Sequence, residues 1–135
     1  FASLADVMPT ICDVAGEAPG DPVQGRSLLP LLRGGSAPDW REHIGVEFDG
    51  LNQCACTLRS LRYGPYKYGM NVAHKDELYD LDTDPGETRN VVDHPAYRDI
   101  ARDMRDRMFA WLAESDDQAL CMLRSKQEYY RYTGS

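Results

Sequence analysis

Long hydrophobic runs are missing from this sequence. Its apolar stretches are interrupted after a few residues, whereas a helix that crosses a bilayer needs about 20 in succession. No membrane-spanning helix is expected, and no membrane partner. Positive charge is also in short supply. Fifteen Lys and Arg stand against 22 Asp and Glu, giving a formal net charge of −7 at pH 7. The basic residues are scattered, so the clustered cations that release counterions from a phosphate backbone are lacking. That argues against a nucleic-acid partner. Cysteine is scarce and poorly spaced for metal or redox work. Cys12 and Cys121 stand alone, and Cys54 and Cys56 share one face of a strand-like run, with no Cys-x-x-Cys or zinc-ribbon spacing. We read all four as small, mostly buried or incidental residues.

The parts of an active site are missing too. Nucleophilic catalysis needs a nucleophile beside a base and a pair of oxyanion donors, and there is no Gly-x-Ser-x-Gly elbow. His43, His74 and His94 form no His-x-His or His-x-x-x-His pair, which leaves each as a surface histidine rather than a ligand or base. Asp80, Asp82 and Asp84 alternate as in an EF-hand loop, but Pro85 and Gly86 follow and the closing glutamate is absent. A capped turn is the expected structure there. Gly34-Gly35 has neither the preceding strand nor the lysine of a phosphate loop. No catalytic residue and no metal ligand is assigned within this chain.

What is present suits one ordinary domain of 135 residues, long enough to bury roughly two-thirds of its unfolded surface. Its first residue is Phe1 rather than Met, and a piece of a longer polypeptide is expected. Asp6 to Gly16 reads as a short helix capped by Asp6, with Pro9 in its first turn and Gly16 as a left-handed stop. Val7, Ile11 and Val14 share its face, which should be buried. After a Pro/Gly loop, Ser27 should cap a second helix, Leu28-Leu29-Pro30-Leu31-Leu32. Those leucines could form a docking patch; we expect them to plug a core in this chain or in the larger body.

Strands are expected at His43 to Phe48, Cys54 to Leu61, Tyr66 to Met70 and Glu77 to Leu81, joined by short connections as an antiparallel meander. Residues 44, 46 and 48 are the apolar set of the first. Tyr97, Ile100, Ala101, Met104, Met108, Trp111 and Leu112 recur at three- and four-residue spacing, which predicts one long helix over 95–114 lying across the sheet. Residues 116–135 carry no pattern that places them.

An ordered set of blocks then becomes informative. Asp6-Val7-Met8-Pro9-Thr10 with Ala15-Gly16 is followed by Gly25-Arg26-Ser27-Leu28-Leu29-Pro30-Leu31-Leu32-Arg33-Gly34. Arg59-Ser60-Leu61-Arg62, Tyr66-Lys67-Tyr68, Glu77-Leu78-Tyr79-Asp80-Leu81 and Asp84-Pro85-Gly86-Glu87 with Asn90 complete the series. Over about residues 3–112 this resembles the C-terminal portion of the sulfatases, members of the alkaline phosphatase superfamily. The resemblance implies an α+β chain, the end of an alkaline-phosphatase-like α/β fold. Residues 1–35 would be the last elements of the large domain. Residues 36–115 would be the C-terminal subdomain, a four-stranded antiparallel sheet with a packed C-terminal helix, and 116–135 a tail.

For the parent enzyme the resemblance implies hydrolysis of sulfate esters by a formylglycine nucleophile beside a calcium ion. Both belong to motifs upstream, because no cysteine here is followed by the required Pro/Ala and Arg. The implied partners are that missing N-terminal catalytic domain and a small sulfated substrate, and the chain alone is expected to be inactive. Asp6 and Ser27 would cap helices, Tyr66, Tyr68 and Tyr79 would fill the packed face of the sheet, and Lys67 and Arg59 would pair with Glu77 or Asp80. The subdomain borders the cleft in such enzymes, so Asn52, Gln53 and His74, in the loops 49–53 and 71–74, are the candidate substrate-rim residues. Two other readings stay open, the end piece of a related phosphate or phosphonate ester hydrolase and a non-catalytic interaction module.

Overall fold

The computed structural model describes residues 1–50 and 57–133. The chain divides into two compact units, Phe1–Ile44 and Gly45–Ser135.

In the first unit a 3-10 turn, Leu4–Asp6, runs into helix α1, Val7–Ala15, and a second short helix, α2, spans Leu29–Leu32. Gly16 ends α1 in the left-handed conformation, as expected. Asp6 does not cap α1. Its carboxylate instead takes the Ser3 N–H at 2.8 Å and the Arg26 N–H at 2.9 Å, and receives the Arg41 guanidinium through two 2.6 Å bonds. The side chain is fully buried and all of its acceptor directions are used. Thr10 accepts the Leu28 N–H at 2.9 Å, and the Ser27 hydroxyl donates to Asp13 at 2.6 Å while accepting the Leu29 N–H at 3.1 Å. The cap position of α2 is Leu28 rather than the predicted Ser27; Ser27, one residue earlier, still satisfies the Leu29 N–H and ties α2 to α1. Gly25 is needed for this seam: a Cβ there would lie 1.9 Å from the Ala5 carbonyl oxygen.

The seam uses the 6, 10 and 13 side of α1, so the apolar stripe of Val7, Ile11 and Val14 faces outward. Ile11 is 63% exposed and Val14 66%, which corrects the expectation that this face is buried. Leu28 and Leu29 are half-buried, but Leu31 and Leu32 are exposed. The leucines do not plug a core within their own unit.

The second unit is built on a four-stranded sheet in the order β1 (His43–Phe48, which belongs to this unit from Gly45 on), β2 (Leu58–Tyr63), β3 (Tyr66–Asn71), β4 (Glu77–Asp80). The meander is the one expected, with β2 ending two residues beyond Leu61 and the start of the predicted run, Cys54 to Cys56, outside the described residues. In register, Arg59 opposes Met70 and Leu61 opposes Tyr68, and Tyr68 in turn opposes Leu78. This face carries the core. Helix α3, Arg98–Glu114, crosses it and buries Ala101, Met104, Met108 and Leu112 against Leu61, Tyr68, Met70 and Leu78. A 3-10 turn, Pro95–Tyr97, precedes α3 and takes up the first residues of the predicted helix.

Several expectations change here. On β1 the apolar alternation at 44, 46 and 48 does not mark a buried face, since Val46 is 59% exposed. Gly45 points inward instead, and a Cβ there would meet the Trp111 ring at 2.1 Å. Tyr68 is fully buried and Tyr66 shares its face, but Tyr79 opposes Lys67 and lies on the other side of the sheet. Lys67 pairs with Glu87 at 2.5 Å, and Arg59 with Asp117 and Asp49, rather than either with Glu77 or Asp80. Cys12 is half-buried and Cys121 exposed, so of the two expected alternatives, buried or incidental, Cys121 is the incidental one. The region without a pattern forms a fourth helix, α4, Ala119–Thr133, which seats Ala119 and Leu123 in the core.

Candidate substrate-rim site

Antiparallel pairing sends the connection after β1 and the connection after β3 to the same end of the sheet. Arg59, at the start of β2, reaches Asp49 just beyond β1, and Val72, just beyond β3, donates its N–H to Thr57 at 3.1 Å. The chain therefore leaves β1 at Asp49 and β3 at Val72 at the same end of the sheet, which nothing in the sequence periodicity announces.

Each connection is fastened by a charged group. Arg59 is buried in β2 and gives its Nε to Asp117 at 2.6 Å and its two terminal nitrogens to Asp49 and Asp117 at 2.8 to 3.2 Å. The Asp117 hydrogen bond holds the guanidinium protonated, and the same bond lowers the Asp117 carboxyl below its ordinary value. Asp117 also accepts the Ala119 N–H at 2.7 Å, so one carboxylate both starts α4 and anchors the strand.

The second fastening comes from α4. The Lys126 ammonium donates to the carbonyls of Asn71 and His74, the latter at 2.6 Å, and to the Asp76 carboxylate at 2.7 Å. Asp76 accepts the Tyr68 hydroxyl at 2.6 Å, and Arg105 donates to that same oxygen at 3.1 Å. Burial pushes the Tyr68 phenol well up, with the Asp76 charge adding to it and Arg105 working against it. Tyr68 thus stays a neutral donor at physiological pH.

His74 lies exposed in this second connection, held through its backbone carbonyl with its imidazole free of that bond. Asn52 and Gln53 lie outside the described residues, and the anchor at Asp49 marks where their connection begins. Sequence reasoning missed Lys126, Asp76 and Asp117. Ala119, Leu123 and Lys126 follow a four-then-three spacing that puts them on one helical face, which is the signal that could have found the helix.

The described residues do not fit the calcium ion expected of the parent enzyme: no group of three or more His, Cys, Asp or Glu among them could hold a metal. Asp80 is taken up by the Asp82 N–H and the Tyr97 hydroxyl, and Asp84 by the Thr88 hydroxyl and the Arg89 N–H. These are the bonds of a capped turn. His94 similarly accepts the Ala96 N–H at 3.2 Å.

Residues 2–114 match the family described as N-sulphoglucosamine sulphohydrolase, C-terminal. The chain is 33% identical, over 95% of its length, to a multifunctional alkaline phosphatase superfamily protein of Trinickia caryophylli, of which it covers 27%. It is 32% identical over 83% of its length to a Delta 4,5-hexuronate-2-O-sulfatase of Bacteroides thetaiotaomicron, covering 24% of that protein. The phosphonate monoester hydrolase of Agrobacterium radiobacter superposes on it with a TM-score of 0.76 at 30% identity, over 84% of this chain and 25% of the other. The chain spans about a quarter of the length of these relatives. With its four-stranded sheet, packed helix and matching ordered blocks, the chain belongs to the C-terminal domain family of the sulfatases, within the alkaline phosphatase superfamily.

Proposed function

We propose that the chain serves as the closing scaffold of an enzyme that hydrolyses sulfate esters, and that one end of its sheet borders the substrate cleft. The nucleophile, a formylglycine, and a calcium ion would both be held by residues outside this sequence, and the chain alone would not turn over substrate. The family match over residues 2–114 carries this reading. The open apolar stripe of Val7, Ile11 and Val14 supports a partner surface of catalytic-domain type, because such a stripe is normally covered. Asn52, Gln53 and His74 are the proposed rim residues; support comes from the Lys126 bond to the His74 carbonyl and from the Arg59 anchor on Asp49, three residues before Asn52 in the chain. Loops held on a rigid scaffold are where specificity contacts concentrate.

Two measurements test this. Purified chain incubated with an aryl sulfate should give no hydrolysis, and turnover by the chain alone would overturn the scaffold reading. In the parent enzyme, alanine at Asn52, Gln53 or His74 should alter the ratio of kcat/KM among sulfate esters. Unchanged ratios at all three positions would remove the rim role.

A second reading has its own support. Identity to the phosphonate monoester hydrolase, 30%, is close to that to the hexuronate sulfatase, 32%. Comparing kcat/KM of the parent enzyme on an aryl sulfate and on a phosphonate monoester decides between them.

A further inference from the structure

The family match ends at residue 114, and α4 begins at Ala119. A helix outside the matched region would usually be a peripheral extension. This one is tied into the rim end of the sheet at two points. Its first turn starts from Asp117, which holds Arg59 and through it the Asp49 anchor. About two turns later Lys126 reaches three acceptors of the β3–β4 connection, namely the Asn71 and His74 carbonyls and the Asp76 carboxylate.

Lys126 is well suited to that task. Its side chain is 11% exposed and that of Asp76 is 17%, so the pair is poorly screened by salt. An ammonium has three donors and no acceptor capacity, and three of the bonds it makes here go to this connection. Two of them hold main-chain carbonyls, so the grip is on the path of the backbone as well as on one side chain. Asp76 is braced from behind by the Tyr68 hydroxyl, which Arg105 also contacts. The order Arg105, Tyr68, Asp76, Lys126 links α3, β3, the connection and α4. Between Asn71 and Asp76, only His74 and its neighbours Ala73 and Lys75 present exposed side chains.

We infer that α4 is a positioning element for the β3–β4 connection, with Lys126 the residue that sets where His74 stands. Lys126 acts through the loop and touches no reacting atom. The role rests on the proposed rim function of this loop, and its test separates the two.

The test uses Lys126→Met, which keeps the length and apolar stem of the side chain and removes the ammonium, alongside Lys126→Arg, which keeps the charge. In the chain itself, hydrogen exchange of the amides of residues 72–76 should quicken by roughly tenfold in Lys126→Met, the scale of one lost charged hydrogen bond. Lys126→Arg should restore most of the protection, and amides in the middle of β2 and β3 should not change. In the parent enzyme, Lys126→Met should raise KM for the sulfate ester several-fold with kcat within roughly twofold, the pattern of lost binding at a rim contact that Lys126 no longer holds in place. Unchanged exchange at 72–76 overturns the clamp. Faster exchange with KM unchanged overturns the positioning role and leaves a purely structural clamp. Where His74→Ala leaves KM unchanged but exchange responds to Lys126→Met, the rim reading fails and the clamp stands. Should Lys126→Met fail to fold, Lys126→Gln replaces it under the same outcomes.

Discussion

Removing the charge of Asp6 offers the sharpest measurement of what holds the first unit together. The Arg41 hydrogen bonds, working against burial, bring its carboxyl from the ordinary 3.8 to about 2, with the Arg26 and Ser3 amides adding to the effect. That difference corresponds to about 2 kcal/mol favouring the folded state. The sign follows from the depressed value. The contribution is complete above roughly pH 5 and fades as pH falls through 3.8 toward 2, because the unfolded carboxyl protonates first. Asp6→Asn removes this dependence and does more. The new amide turns two donors toward groups that are themselves donors, and leaves the half-buried Arg41 charge without its partner. A loss of about 3 kcal/mol is expected at pH 6. Urea unfolding from pH 2.5 to 6 measures it, followed by Trp40 emission in a Trp111→Phe background. Trp40 is in the same unit and its ring stacks 5.0 Å from the Arg41 guanidinium. The other carboxylates titrate in both proteins, so the difference between the two curves isolates Asp6. Curves that run parallel, within about 0.5 kcal/mol of each other across the range, would refute the role given to this ion pair.

Arg59→Met should lower the stability of the second unit by about 3 kcal/mol, because it strands the buried Asp117 carboxylate. Thermal unfolding checks this, and the loss should shrink as pH falls through the Asp117 titration, since a protonated carboxyl no longer needs the cation. Gly45→Ala should cost about 1 to 3 kcal/mol by forcing a methyl against the Trp111 ring. Pairing it with Trp111→Leu should recover most of that loss in a double-mutant cycle, and additive effects would show that the contact is not the cause.

Much of the second unit is legible along the chain. The helix over 98–114 shows its spacing openly, because one uninterrupted face of it is buried on the sheet. The meander follows from short connections bounded by Gly, Pro and Asp. The misplaced details share a cause. Val46 and Phe48 look like the inner residues of β1, but the inner position is Gly45, where helix α3 brings a tryptophan ring. Apolar alternation records which residues are hydrophobic, and a distant element decides which face is covered. Asp6 looks like a cap because its position suits one. Beside the nearby Ser3 amide, its partners are 20 and 35 residues away, and no local pattern announces those two. Lys126 is similarly invisible, since a lysine on a polar, aromatic helix reads as solvated until a loop is found beneath it.

Read alone, the order of residues determined the class of fold, the glycine stop of α1 and the turns, the long helix and the kinship with sulfatases, because all of these depend on neighbours within a few positions or on blocks in sequence. Tertiary structure decided which carboxylate meets which cation, which side of α1 stays open, and that Asp49 and Val72 leave their strands at one end of the sheet. Those outcomes depend on approach between segments tens of residues apart, where burial strips water from charged groups and makes a few angstroms of placement decisive.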